Sequence, residues 1–163
     1  MTTKQEIIRR LSLEPHPSEG GYFKRTYSSE IETACPAGTR QTLSSIYYML
    51  TDDSPIGYLH KNKSDIIHYF HCGSAISYTI IHPDGQLEKQ ILGSDILQGH
   101  RPQLTVKGGC WKASELVNGE YGLISEAVTP SFEYEDMEIA EPTDIHRLFP
   151  NSFKSIRHYI FTP

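Results

Sequence analysis

The chain has 163 residues and a formal net charge of −5 with its eight histidines neutral. This length fits a single domain spanning residues 1–163, which can bury about two-thirds of its unfolded surface without disulfides. The acidic balance argues against a general nucleic-acid-binding protein, which would carry a basic stripe. A nucleotide is not excluded, because it needs only one or two local cations.

The three cysteines, Cys35, Cys72 and Cys110, are odd in number and widely spaced. This pattern does not indicate a disulfide framework, and the chain has no C-x-x-C pair for zinc. We expect reduced, partly buried thiols in an intracellular protein. The first residues lack the apolar core of a signal peptide, and no apolar run approaches the length of a membrane span. The cytoplasm is therefore the expected location, with no membrane partner.

A short helix is predicted over about Lys4–Leu11. Thr3 and Glu6 have the spacing of a capping box, and Ile7 and Leu11 belong to an apolar stripe at helical spacing. The prolines that follow, beginning with Pro15, end this helix because proline cannot continue it.

From about residue 22 to residue 134 the pattern is typical of many short strands, rich in Tyr, Ile, Val and Thr. The predicted strands are Tyr22–Tyr27, Thr42–Leu50, Asp65–His71, Ala75–His82, Gln86–Leu92, Gln103–Val106, Cys110–Leu116 and Tyr121–Val128. Pro83-Asp84-Gly85 predicts a hairpin turn, because glycine readily adopts the positive φ needed there. Strands at this spacing, with no long helix between them, indicate an antiparallel sandwich or barrel.

Helical signals return near the C-terminal end of the chain. Pro142-Thr143-Asp144 predicts the start of a short helix, and Phe153, Ile156, Tyr159 and Ile160 follow a helical period. We therefore predict an all-β domain with short N- and C-terminal helices.

Three stretches carry a specific pattern. They are Pro15-His16-Pro17-x-x-Gly20-Gly21-Tyr22, Ser45-Ile46-Tyr47-Tyr48 and Pro102-Gln103-x-x-Val106-x-x-Gly109-x-Trp111. Over about Leu11–Ile139 the chain resembles the cupin-5 family, a cupin-like family of unknown function. The resemblance implies a double-stranded β-helix, the cupin jelly-roll barrel, usually assembled as a homodimer. A fold does not by itself imply an activity.

Many cupins hold a metal through the motifs G-x5-H-x-H-x3,4-E-x6-G and P-x-G-x2-H, which supply three imidazoles and a carboxylate. In this chain His60 matches the first histidine of that set. The other three ligand positions are occupied by Asn62, Ile66 and Lys112. Because a lysine ammonium repels a metal cation, we predict no metal and no other cofactor.

Strand alternation predicts which side chains face the barrel interior. It places His60, Asn62, His68 and Lys112 on one face, in the mostly apolar surroundings of a ligand pocket. A buried Glu126 would require a cation, and Lys112 is the candidate. The alternative is that both histidines are hydrogen-bonded core residues and that Lys112 extends to the barrel mouth. Trp111 is predicted to face the opposite way and to pack against the second sheet or a dimer mate.

The segment Gly57-Tyr58-Leu59-His60-Lys61-Asn62 is similar to the G-L-H-x-Q strand of the dTDP-4-dehydrorhamnose 3,5-epimerases, which are metal-free cupins. That resemblance implies that His60 is a general base, which needs an orienting carboxylate and an acid on the opposite side. Candidate partners for His60 are Asp65, Glu126 and Tyr47. The resemblance also implies that an early strand reaches a phosphate through Lys24 or Arg25, beside Tyr22 and Tyr27. A solvated edge charge is the preferred interpretation of Arg25.

Gln103 could hydrogen-bond a ligand or hold a strand in place, and the sequence does not separate these roles. The predicted ligand-binding residues are Tyr22, Lys24, Tyr47, Asn62, His68, Gln103, Lys112 and Glu126, with His60 as the catalytic candidate.

Three functions remain open. The first is binding of a small molecule without a metal, with a nucleotide or nucleotide sugar as one candidate. The second is isomerisation or epimerisation of a nucleotide sugar with His60 as the base. The third is a non-catalytic, storage-like or structural protein.

Overall fold

The computed structural model describes residues 2–162, which fold into short strands with three short helices near the two ends. Helix α1 spans Lys4–Leu11, α2 spans Pro142–Leu148 and α3 spans Phe153–Ile156. The strands are β1 (Glu14–Pro15), β2 (Tyr22–Ser28), β3 (Glu32–Cys35), β4 (Gly38–Gln41), β5 (Ser44–Thr51), β6 (Ile56–Asn62), β7 (Asp65–Gly73), β8 (Ile76–Ile81), β9 (Leu87–Leu92), β10 (Gln103–Val106), β11 (Trp111–Leu116), β12 (Tyr121–Thr129) and β13 (Met137–Ile139).

The helices form where the sequence predicts them. Thr3 caps α1 by accepting a hydrogen bond from the Glu6 amide at 3.3 Å, and the helix ends at Ser12 in the left-handed conformation. Pro142 begins α2 in the first turn, where its missing N–H has no partner to lose. Within residues 2–162, no helix is long and apolar enough to cross a membrane.

Two antiparallel sheets face each other, and the predicted all-β jelly-roll fold is confirmed. One sheet has the order β1-β2-β5-β12-β7-β10 and the other has the order β13-β6-β11-β8-β9. Strands β8 and β9 form the predicted hairpin, with Gly85 at φ +88° in its turn.

Strand alternation divides the apolar side chains into three layers. The layer between the sheets joins Tyr48 and Ile124 of one sheet to Ile76 and Tyr78 of the other. A second layer lies on the outer face of the β6–β11–β8 region, where α2 and α3 cover it. A third lies beneath α1 on the outer face of the other sheet. The helices therefore cover outer faces that would otherwise expose apolar side chains.

Trp111 illustrates this arrangement. It faces away from Lys112, as predicted, and it is buried in the outer layer with Ile145 and Ile156. The Lys61 Nζ atom lies 4.6 Å from the centre of its ring, within range of a cation–π contact. Its packing partners are thus the C-terminal helices, which the sequence interpretation did not name.

Four parts of the sheet structure were absent from the predicted strands: β1, β6, β13 and the β3–β4 hairpin. Strands β3 and β4 are largely polar, and β6 has strand-favouring residues in its first half but ends in the polar run His60-Lys61-Asn62. The hairpin is held by Arg40, whose Nε atom donates to Asp136 at 2.8 Å. Long-range contacts thus stabilise strands that local propensity does not predict.

We predict that Gly20→Ala destabilises the protein far more than Gly99→Ala. Both glycines have φ near +80°, so both substitutions carry a left-handed backbone penalty of about 1–2 kcal/mol. A Cβ at Gly20 would also collide with the Ile56 carbonyl oxygen, whereas at Gly99 nothing lies within 4 Å. Urea unfolding should show an additional loss of at least about 2 kcal/mol for Gly20→Ala. Equal losses for the two variants would contradict the close packing of this loop.

Candidate functional site

Three charged or polar side chains meet in the buried layer between the two sheets. Lys112 of β11 places its Nζ atom 3.3 Å from His68 Nε2 and 3.3 Å from Glu126 Oε1. His68 of β7 faces Glu126 of β12 across their ladder, with 3.1 Å between Nδ1 and Oε1. The Tyr78 hydroxyl lies 3.2 Å from the same Nδ1 atom. We call Lys112, His68 and Glu126 the buried triad.

One protonation state satisfies the buried triad. Burial lowers the pKa of His68 to about 4, and the positive charge of Lys112 adds to that effect. The neutral ring accepts a hydrogen bond from Lys112 at Nε2 and donates from Nδ1 to Glu126. Burial alone would raise the pKa of the Glu126 carboxyl, but Lys112 and His68 hold it well below its usual range. The carboxylate therefore stays ionised, and each member of the buried triad has a polar partner.

His60 lies in the same layer, opposite Lys112 on the neighbouring strand, but outside the buried triad. Its Nδ1 atom is 2.6 Å from the Tyr58 carbonyl oxygen, which can only accept a hydrogen bond, so the ring proton is on Nδ1. Nε2 of the neutral ring is then an unprotonated acceptor, and it has no hydrogen-bond partner. Burial lowers the pKa of His60; the nearby Glu19 opposes this shift and Lys112 adds to it.

A carboxylate from an N-terminal loop approaches His60. Glu19 Oε1 lies 3.5 Å from His60 Nε2 and 3.8 Å from His16 Nε2. The loop is fixed because the Glu19 amide donates to His16 Nδ1 at 2.9 Å and the Glu19 carbonyl accepts from the Tyr58 amide at 2.7 Å. Glu19 is consequently buried although it belongs to a loop.

A cavity of about 350 Å³ lies against the inner face of the β2–β5–β12–β7 sheet. Its lining residues are His16, Glu19, Phe23, Arg25, Ile46, Ile66, Glu126, Val128, Phe132, Glu133 and Tyr134. The cavity thus contacts the buried triad through Glu126 and the His60 region through Glu19. Phe132 and Tyr134 form an edge-to-face pair with ring centres 5.1 Å apart, and Tyr134 is about half exposed (53%).

Of the predicted site residues, the structure brings His60, His68, Lys112 and Glu126 together between the sheets, and the expected Lys112–Glu126 pair forms. Asn62 is also buried, but it lines a separate cavity beside Asp136.

The other four predicted site residues lie elsewhere, which corrects their assigned position. Tyr22 and Tyr47 pack in the outer layer beneath α1, because their neighbours Phe23 and Tyr48 take the inward positions of β2 and β5. Lys24 is exposed and pairs with Glu14 at 3.7 Å. Gln103 is exposed on β10, the edge strand of its sheet.

The residues suggested as partners of His60 are also displaced from it. Asp65 instead binds Lys107 at 2.6 Å and the Gly108 amide at 2.8 Å. Tyr47 faces His71, and Glu126 contacts His68. The carboxylate beside His60 is Glu19, which the sequence interpretation missed.

Arg25 is exposed, as expected of a solvated charge, and it also lines the cavity and donates to the Phe132 carbonyl oxygen at 3.0 Å. Its alternation with Phe23 on β2 was the available signal. No local pattern marked Glu19, because its burial depends on loop contacts with β6. The three cysteines are free, with Cys110 buried and Cys72 exposed, so Cys72 departs from the expected partial burial.

Comparison with known proteins identifies the family. The Cupin_5 model, described as Cupin superfamily (DUF985), matches residues 5–140. The chain belongs to this family. An uncharacterised protein of Saccharomyces cerevisiae is 42% identical over 147 residues, covering 81% of this chain and 72% of the yeast protein.

Solved structures agree with the fold. A hypothetical protein from Leishmania major is 28% identical with a TM-score of 0.92, covering 98% of this chain and 99% of its own. A protein from Shewanella oneidensis is 29% identical with a TM-score of 0.90 and full coverage of both chains. Oxalate decarboxylase from Bacillus subtilis is 15% identical with a TM-score of 0.58, over 91% of this chain and 37% of that chain, and this likeness concerns the fold alone.

The residues at the cupin ligand positions do not fit a metal. Ile66 has no donor atom, and the Lys112 ammonium already binds His68 and Glu126. Within residues 2–162, no three His, Cys, Asp or Glu side chains are grouped so that they could hold a metal ion.

We predict that Lys112→Met lowers the free energy of unfolding by about 3–5 kcal/mol, because it leaves the Glu126 carboxylate buried without a cation. The double variant Lys112→Met/Glu126→Leu should recover most of this loss. Lys24→Met is the matched control, since its pair with Glu14 is exposed and contributes about 1 kcal/mol or less. Urea unfolding of the four proteins measures these effects. Similar losses for Lys112→Met and Lys24→Met would show that the buried triad does not stabilise the fold.

Proposed function

We propose that this cupin binds a small organic molecule in the cavity beside Glu19 and Glu126, without a metal. The observation that carries the proposal is the unpartnered, buried Nε2 atom of His60, 3.5 Å from a carboxylate that lines the cavity. The volume of about 350 Å³ lies within the range of small-molecule sites, roughly 300–1,000 Å³. Apolar walls with a few fixed polar groups are typical of such sites.

The lining residues of the cavity suit different parts of a ligand. Phe23, Phe132 and Tyr134 offer ring faces and edges for a flat or apolar group. Glu19 supplies a buried hydrogen-bond acceptor, close to His60. Among the described lining residues, Arg25 is the one with a permanent positive charge. A nucleotide or nucleotide sugar is the narrower form of this proposal, with its phosphate at Arg25 and its base on the aromatic rings.

We expect thermal unfolding to detect the ligand class. The panel comprises UDP, dTDP, UDP-glucose, dTDP-glucose, D-glucose and L-rhamnose, each with and without EDTA. A compound at a hundredfold excess over its Kd adds about 2.7 kcal/mol, which raises Tm by about 5–10 °C for a chain of this size. At least one compound should raise Tm, and EDTA should leave that shift unchanged.

Two tyrosine variants localise the binding. Tyr134→Ala removes an aromatic ring from the cavity and should reduce the shift. Tyr27→Ala is the matched control, because Tyr27 is equally exposed (54% against 53%) but does not line the cavity. No shift with any compound would favour the storage-like alternative over ligand binding.

A second function, isomerisation or epimerisation of a keto sugar, is favoured by the protonation pattern of His60. Its Nε2 lone pair can accept a proton from a carbon next to a carbonyl group, and the electron pair left behind forms an enolate. Glu19 would then stabilise the imidazolium at 3.5 Å. Return of the proton from Nε2 to the same face of that carbon regenerates the neutral base, whereas inversion requires a second group that donates a proton from the opposite face.

We predict that the protein exchanges deuterium from D₂O into a nucleotide sugar that carries a ring ketone, at the carbon beside the carbonyl. His60→Ala should slow this exchange by about 10²–10⁴-fold, the usual contribution of a general base. His158→Ala, at an exposed histidine, should leave the rate unchanged. Proton NMR follows the loss of the C–H signal. Exchange that persists in His60→Ala would exclude His60 as the base.

A further inference from the structure

Two hydrogen-bond acceptors face each other beside the cavity. The proton of the neutral His60 ring is on Nδ1, which donates to the Tyr58 carbonyl oxygen at 2.6 Å. Its Nε2 lone pair lies 3.5 Å from Glu19 Oε1, and both side chains are over nine-tenths buried. Neither atom can donate to the other, so the pair lacks a hydrogen.

Backbone hydrogen bonds hold the loop that carries Glu19 next to His60. His16 Nδ1 accepts hydrogen bonds from the Ser18 and Glu19 amides, at 3.3 and 2.9 Å, so the proton of the neutral His16 ring is on Nε2. His16 Nε2 lies 3.8 Å from the same carboxylate, beyond hydrogen-bond distance. The Glu19 carbonyl is held by the Tyr58 amide at 2.7 Å. The Glu19 backbone is therefore fixed at both its amide and its carbonyl, which places its side chain beside His60.

We propose that a hydroxyl group of a sugar, or of the sugar part of a larger ligand, occupies this position, donating to Glu19 at the cavity wall or to His60 behind it while its oxygen remains free to accept. The inference rests on the proposed function and specifies the ligand chemistry of the same cavity. A sugar ring carries adjacent hydroxyls, so it can supply donors to both acceptors at once.

The local charges favour a hydroxyl over a charged group. Three carboxylates line the cavity, Glu19, Glu126 and Glu133, and they outnumber its permanent cation, Arg25, so an anion beside Glu19 is disfavoured. The Lys112 ammonium lies just beyond Glu126, at 3.3 Å, and disfavours a second cation there. A neutral donor avoids both repulsions and the cost of burying another charge.

Glu19→Gln provides the sharpest test because it supplies the missing hydrogen within the protein. The new amide can donate to His60 Nε2 and so replace the ligand hydroxyl. Tm should stay the same or rise, whereas binding of D-glucose, L-rhamnose or UDP-glucose should weaken by at least about tenfold, one hydrogen bond to a charged group. Glu133→Gln is the matched control, since it removes another lining carboxylate away from His60, and it should retain binding.

The choice of probe compounds separates free sugars from nucleotide sugars, and it separates sugar hydroxyls from charged ligands. Response to the free sugars indicates a monosaccharide site, and response to UDP-glucose alone indicates the sugar part of a nucleotide sugar. Both support the hydroxyl assignment if Glu19→Gln abolishes them. Binding restricted to methylammonium or to inorganic phosphate would overturn it. Sugar binding that Glu19→Gln and Glu133→Gln leave equally intact would also overturn it, while the proposed small-molecule function would stand.

Ring-nitrogen NMR tests the premise without any ligand. In a long-range ¹H–¹⁵N spectrum at pH 7, His60 Nε2 should be unprotonated in the free protein, and its signal should shift when D-glucose or UDP-glucose is added. A protonated Nε2 in the free protein would mean that the pair already holds its own hydrogen, and it would overturn the proposal. His158, which is exposed, provides a surface ring in the same spectrum for comparison.

Discussion

Lys112 and Glu126 belong to different sheets, and their side chains meet in the layer that joins the two sheets. Each charge would be costly to bury alone, because removing one partner of such a pair typically destabilises a protein by about 3–5 kcal/mol. Their contact requires that Lys112 lie opposite His60 and that Glu126 lie opposite His68. A slip of one residue in either strand would turn a charge to the outer face and leave the other unpaired. The ion pair therefore disfavours a one-residue slip of either strand that carries it.

The same pair explains how this cupin sequence can depart from the metal-binding pattern without leaving the interior position of the metal empty. Lys112 stands where the second cupin motif has its histidine, and its ammonium is bound by an imidazole and a carboxylate. A side-chain cation thus sits among the kinds of donor groups that would otherwise surround a metal. Because the buried triad is complete, His60 is excluded from it. His60, which matches the first metal-binding histidine of the cupin motif, is therefore left as a free base beside the cavity.

Periodicity predicted much of this arrangement, and its failures have identifiable causes. Alternation along β7 and β11 correctly placed His68 and Lys112 on the interior face. Along β5 it could not decide between Tyr47 and Tyr48, since both are aromatic and either could face the core. In the structure Tyr48 is buried between the sheets, so its neighbour Tyr47 points to the outer face. Which of the two alternating sets of side chains faces the core depends on the surface that the strand packs against. A single sequence does not show that surface.

Glu19 marks a different limit of sequence reasoning. Nothing local distinguishes it from a solvated loop glutamate, because its burial arises from contacts with β6 that lie about forty positions away along the chain. Those contacts direct a carboxylate at the one buried imidazole nitrogen of His60 that the strand backbone leaves free. The fold tolerates an unsatisfied buried acceptor, which costs about 1–3 kcal/mol. Such local conflicts concentrate at functional sites, where binding of a ligand resolves them. A ligand that donates a hydrogen bond to His60 would satisfy this acceptor. The free energy that the unsatisfied acceptor costs the fold would then contribute to binding affinity.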